Sequence, residues 1–112
     1  MLGKTVTVFV DRPLGTYHPK HKDLYYPVNY GYIPGIIGGD GEEQDAYVLG
    51  VEEPLQEFTG VVIASIHRED DVEEKWVVAP ENMSFTKVRI MAEVAFQEQY
   101  FQSEIRSWLN NK

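Results

Sequence analysis

Proline and glycine divide this chain into two unlike parts: all of them fall at or before Pro80, and none follows. Up to Pro80 the spacing leaves room only for short extended segments, because proline cannot donate to a sheet ladder and glycine favours turns. TVTVFV at Thr5–Val10, a broken extended run at Tyr25–Tyr32, DAYVLGV from Asp45, VVIASIHR from Val61 and KWVVA at Lys75–Ala79 are the expected strands. The last two, joined by the acidic EDDVEE, read as a hairpin. Beyond Pro80, Ser84 or Thr86 can cap a helix. Val88, Met91, Val94, Ala95, Tyr100, Phe101, Ile105 and Trp108 then keep roughly helical spacing as far as Asn110. The prediction is a mainly β fold of the α+β kind: an OB-like five-stranded barrel with one long C-terminal helix beside it.

A chain of 112 residues is expected to form a single domain, 1–112, around one core. Its net charge of −8, from 18 acids against 10 Lys and Arg, argues against nucleic acid as a partner, since backbone binding needs a basic face. There is no cysteine, so disulfide and thiolate chemistry are excluded. MLGKTVTVFVD alternates instead of forming an apolar block. No signal peptide or membrane span is visible, and a cytoplasmic protein with no membrane partner is expected.

Function is read from where the acids and bases fall. Tyr25 to Asp45, YYPVNYGYIPGIIGGDGEEQD, gathers aromatic rings, turn formers and acids, and ends with Asp40, Glu42 and Asp45 around Gly41. In an extended chain Asp40 and Glu42 share a face, and Asp45 can rejoin them after a bend. Two carboxylates about 5 Å apart repel by about 3 kcal/mol at an effective dielectric near 20, so the cluster calls for a cation. Other acids stand at Asp11 and along Glu69–Glu74, and a barrel can bring all three groups to one rim. Mg²⁺ suits such hard oxygen donors and bridges them to phosphate. Lys20, Lys22 and Lys75 are candidate charges for phosphoryl oxygens, and Tyr26 and Tyr30 candidate neutral donors. The set points to metal-assisted phosphoanhydride hydrolysis. Taken singly, EDDVEE also reads as a solvated hairpin tip and the tyrosines as core aromatics. His18, His21 and His67 lack zinc-helix spacing, and an EF-hand loop from Asp40 fails, with Asp45 at its glycine position and Val51 at its glutamate position.

These residues also carry a family resemblance. YYPVNYGYIPGIIGGDGEEQDAYVLG (Tyr25–Gly50) strongly resembles the core motif of the soluble family I inorganic pyrophosphatases. VFVDRP (Val8–Pro13), EEKWVVAP (Glu73–Pro80) and QEQYFQSEI (Gln97–Ile105) resemble three further blocks in the same order. The resemblance implies an OB-like barrel and Mg²⁺-dependent hydrolysis of pyrophosphate to two phosphates by a metal-activated water, with two or more ions. Carried over by position, Asp40, Glu42 and Asp45 would be central metal ligands, Asp45 also helping to activate the water. Glu69 or Asp70, with Glu73, would form a second metal group. Lys75 would bind phosphate, Tyr26, Tyr30 and Tyr100 would be site tyrosines, and Asp11 the strand-end acid. Family members form oligomers, so self-association is also implied.

The chain departs from that pattern. Glu42 replaces a shorter aspartate, Glu43 and Gln44 replace a proline and an apolar residue, and Phe101 stands where a phosphate-binding lysine is expected. The segment before Tyr25 is shortened to PLGTYHPKHKDL, in which Lys20 and Lys22 are the available bases. Two alternatives therefore stand beside the pyrophosphatase reading: a catalytically degenerate relative that binds a phosphorylated ligand or a protein partner, and a hydrolase of another phosphoanhydride.

Overall fold

A computed structural model describes residues 1–69 and 73–109. Six strands and one helix follow in the order β1 (Thr5–Arg12), β2 (Asn29–Ile37), β3 (Glu43–Val48), β4 (Glu57–Arg68), β5 (Glu74–Ala79), α1 (Lys87–Glu98) and β6 (Ser103–Trp108). β1, β2, β3, β5 and β4 pair in turn, and β4 returns to β1, closing a five-stranded barrel. All pairings are antiparallel except β3 with β5, where Ala46 stands opposite Trp76. β4 gives the first part of one edge to β1 (Thr5 opposite Val61) and the later part to β6 (Ile66 opposite Ile105).

Alternation along the strands makes two cores. Val6, Val8, Ile33, Ala46, Val48, Val62, Trp76 and Val78 come from all five barrel strands and fill its interior. The residues between them, including Tyr47, Leu49, Val77 and Ala79, turn to the other face and pack with Ile90 and Val94 of α1. Asn29 ties the connections to this frame. Fully buried, it accepts hydrogen bonds from the Leu14 and Leu55 amides at 2.9 and 3.1 Å and donates to the Glu53 carbonyl at 2.9 Å.

The long C-terminal helix expected from the sequence is corrected to a shorter helix and a sixth strand. Thr86 caps α1, its hydroxyl accepting the Arg89 amide at 3.1 Å, and the helix ends at Glu98. The Tyr100 and Phe101 amides donate to Gln97 and Glu98 carbonyls only three residues back, which tightens the chain out of the helix. SEIRSW then runs extended, with Glu104 and Arg106 exposed and Ile105 and Trp108 packed against the core. A spacing of three suits a helix and not a regular strand, but β6 carries one extra residue, Arg106, between Ile105 opposite Ile66 and Ser107 opposite Ser65, and the unpaired edge of β4 decides for the strand by offering a ladder of hydrogen bonds. Val88, expected on the apolar stripe, is 81% exposed; the buried positions are Ile90, Val94, Gln97 and Glu98.

Two features hold the working face in place. Val10 pairs with Gly31 and Arg12 with Tyr30, so Asp11 is an extra residue, a bulge in β1. Beside the bulge, a Cβ on Gly31 would lie 1.9 Å from the Phe9 carbonyl oxygen, so only glycine lets the two strands approach this closely. At the other end of the face the Glu98 side chain, 1% exposed, receives Arg68 Nε and Nη2 at 3.1 and 2.7 Å, Tyr47 Oη at 2.5 Å and Ser103 Oγ at 2.6 Å. One carboxylate thus joins α1 to β3, β4 and β6. Burial pushes its pKa up, but the bonds from Arg68, Ser103 and Tyr47 outweigh that and hold it below the usual carboxylate range.

Replacing Gly31 by Ala is expected to cost about 3 kcal/mol, read as a lowered urea midpoint. Gly41→Ala, at φ +84° with nothing near it, should cost about 1 kcal/mol. Because the Glu98 pKa is depressed on folding, its contribution is present above the unfolded carboxylate pKa of about 4.3 and is lost as pH falls through the folded value. Glu98→Gln should therefore be less stable than wild type by about 3 kcal/mol at pH 7, with the gap between the two urea midpoints closing in strong acid.

Candidate active site

The face that carries the helix-side core turns polar at the end α1 leaves uncovered. Asp45 lies two residues before Tyr47 on β3, and Lys75 two before Val77 on β5, so both point to this face. They help to line a cleft of about 650 Å³. β1 adds Asp11 and Arg12, which would point to opposite faces of a regular strand but are brought to one cleft by the bulge. Tyr30 comes from β2, Arg68 from the end of β4, and Tyr100 and Phe101 from the turn after α1. His18, His21 and Asp23 border it from the connection between β1 and β2.

Lys75 is at the centre. Its ammonium, 6% exposed, donates to Asp45 Oδ2 at 2.7 Å and to Glu73 Oε2 at 2.9 Å and lies 5.7 Å from the Tyr30 ring centroid. Burial alone would lower the Lys75 pKa, but Tyr30, Asp45 and Glu73 reverse this and keep it charged. Asp45 is pushed up by burial and more strongly down by bonds with Glu73, Lys75 and Tyr30, so it is held below the usual range. Glu73 moves the other way, raised by burial and by sharing a hydrogen bond with Asp45. Burial pushes the Tyr30 phenol up to about 12 against the pull of Lys75, so it remains a neutral donor. Asp11 is raised by partial burial and, against the pull of Arg12, by the charge of Asp45. The centre can thus present an ionised acid, a fixed cation and a phenol to one ligand.

The other expected site residues are placed less uniformly. Asp40 and Glu42 are exposed on the turn between β2 and β3, where Asp40 Oδ1 accepts the Glu42 amide at 3.0 Å, and neither lines the cleft. Asp70 lies outside the described residues, and Glu69 borders a separate pocket with His67 and Arg106. Among the described residues no three His, Asp or Glu side chains are grouped to hold a metal ion. Lys20 and Lys22 are exposed on their loop and do not line the cleft. Tyr100 does line it and is 69% exposed. Tyr26 is fully buried, and its hydroxyl accepts from Arg12 Nη1 and donates to Gln97 Oε1, both at 2.8 Å, so it supports the cleft from beneath.

Two cations of the cleft were not among the expected site residues. Arg12 lies 5.7 and 5.8 Å from the Tyr26 and Tyr30 ring centroids, and Arg68 is paired with Glu98. Arg12 follows Asp11 directly, a spacing that argues against a shared face unless the bulge is known. Arg68 precedes an acidic run that draws attention from it, and its partner is distant in sequence.

Among the described residues no helix is long and apolar enough to cross a membrane. A family model described as inorganic pyrophosphatase matches residues 4–112. Inorganic pyrophosphatase 2 of Pseudomonas syringae pv. tomato is 40% identical over 58 residues, which are 52% of this chain and 27% of that relative. The chain therefore spans only about a quarter of the length of this curated relative. An inorganic pyrophosphatase structure from Ehrlichia chaffeensis superposes with a TM-score of 0.68 at 17% identity, covering 98% of this chain and 88% of that one. One from Neisseria gonorrhoeae gives 0.66 at 20% identity, with 96% and 83% covered. At those identities the two structures speak for the fold, and the family model, matching almost end to end, speaks for descent: the chain belongs to the inorganic pyrophosphatase family.

Proposed function

We propose that the cleft binds inorganic pyrophosphate together with Mg²⁺ and hydrolyses it to two phosphates in the cytoplasm. The observation that carries this reading is the Asp45–Lys75–Glu73 group, an ionised acid and a fixed cation within 2.7 Å of each other beside Arg12 and Tyr30. The donor chemistry fits the metal. Asp11 and Asp45 offer hard oxygens to the same cleft, and Mg²⁺ is commonly held by one or two carboxylates with substrate phosphates and water completing its shell. Asp11 and Asp45 would hold it, with Glu73 adjoining. Asp40 and Glu42 would contribute only from the neighbouring turn. When bound, the ion supplies charge neutralisation and makes water more acidic.

The protein's own groups divide the rest. Arg12 and Lys75 draw the phosphoryl oxygens in, and Tyr30 donates as a neutral phenol. Water forms the new P–O bond as the bridging P–O bond breaks. Asp45 accepts the proton that the water gives up, and Lys75 balances the charge growing on the departing phosphate. A second reading, binding without turnover, is favoured by the pairing of Asp45 with Lys75, which commits the acid before any substrate arrives.

Phosphate release from pyrophosphate should require Mg²⁺ and stop with a chelator. Asp45→Asn and Lys75→Met should each lower kcat by about 10² or more while leaving the circular dichroism spectrum unchanged. Pyrophosphate binding measured by calorimetry without any metal-dependent release would decide for the second reading.

A further inference from the structure

Arg68 is held at an edge and on a face. Its Nε and Nη2 are engaged by Glu98 at 3.1 and 2.7 Å, and the Phe101 ring covers its plane with the centroid 3.8 Å from Cζ. The side chain is 8% exposed, yet Arg68 borders the cleft, whereas Glu98 does not. Glu98 divides its negative charge among Arg68, Tyr47 and Ser103. Of the two partners, the cation is thus the one that reaches the cleft wall. Phe101 excludes water from one face of the guanidinium, which raises the strength of any contact made at the edge.

A purely structural role explains this less well. A buried ion pair is often no better for stability than apolar residues of similar volume. An arginine whose geometry is fixed in advance loses little freedom on meeting an anion, and with Nε and Nη2 turned to Glu98 its Nη1 is the donor left for phosphoryl oxygens. We propose that Arg68, oriented by Glu98 and backed by Phe101, forms a phosphoryl subsite separate from the Lys75–Asp45 centre and takes the end of the substrate remote from Asp45. This rests on the reading of the cleft as a pyrophosphate site. It assigns substrate contact to a β4 residue outside the motif blocks that carry the family resemblance. Arg68 is the binding group; Glu98 and Phe101 are positioning residues.

The test uses the full chain with inorganic pyrophosphate as probe. Arg68→Met combined with Glu98→Gln removes both charges together and leaves no buried ion unmatched. This variant should keep a folded spectrum and a cooperative urea transition, while KM and the calorimetric Kd for pyrophosphate rise about 10- to 100-fold with a smaller change in kcat. Adding Phe101→Lys to that background places a cation next to the vacated position and should recover at least about tenfold of the lost affinity, while the same change in wild type gains much less, a difference that a structural role for Arg68 does not predict. Wild-type KM and Kd in the double variant, or a loss that Phe101→Lys does not recover, would overturn the assignment while leaving pyrophosphate hydrolysis standing. A wild-type protein that binds pyrophosphate without hydrolysing it would refute turnover alone, the subsite then being judged on Kd. Neither binding nor release by the wild type would overturn both.

Discussion

Much of this molecule follows from the need to match one buried carboxylate. Glu98 at the end of α1 is out of reach of water, and an uncompensated charge there would cost several kcal/mol. The structure satisfies it with a guanidinium and two hydroxyls drawn from three different strands. That requirement fixes where the helix stops, where β6 begins and how the end of β4 is turned. The link continues past Glu98: Gln97 donates to Tyr47 and accepts from Tyr26, which accepts from Arg12. Arg12 and Arg68, on two sides of the cleft, are thus joined beneath its floor by one unbroken polar chain. A side chain moved at either end loses a partner at once, so the wall of the cleft is stiff for reasons that lie below it.

The barrel supplies the second half of the design. Its strands are apolar on both faces where one face fills the interior and the other meets α1. Past the end of the helix the outer face changes from Tyr47 and Val77 to Asp45 and Lys75 within two residues. Acid and base are therefore rooted on paired strands whose inner faces are locked by Ala46 and Trp76. Rigid strands hold such groups more closely than loops would, which is what preorganised electrostatics requires.

The strands were legible because their signals are local. β-branched runs bounded by proline and glycine give β1 and β5 nearly at their observed limits and the end of β4, which begins four residues earlier than expected, at Glu57; Asp45 and Lys75 stand at strand positions where alternation can be counted. The sequence was less informative wherever geometry departed from regularity. An Asp11 bulge cannot be read from VFVDRP, and without it Arg12 seems to point away from Asp11. Asp40 and Glu42 share a face in an extended chain, but the turn at Gly38–Glu42 removes both from the cleft. Ile105 and Trp108 are spaced as on a helix and share a side of β6 only through its extra residue, so that segment was decided by a vacant strand edge contributed by residues some forty positions earlier. Arg68 was hidden for a related reason, since its meaning depends on a partner supplied by a helix end.

The parallel pairing of β3 with β5 has a consequence for how the chain is made. Ala46 finds its neighbour only at Trp76, after β4 has been laid down, so the ring of strands cannot shut while the first half of the protein alone has left the ribosome. Contacts of such wide sequence separation are slow to form. The Arg68 wall of the cleft is later still, because Glu98, Phe101 and β6 all follow β5 in the chain. During synthesis, then, the acids and lysine of the centre exist for a time without the scaffold that orders them, and competence toward any ligand is a property that arrives only once α1 and β6 have followed.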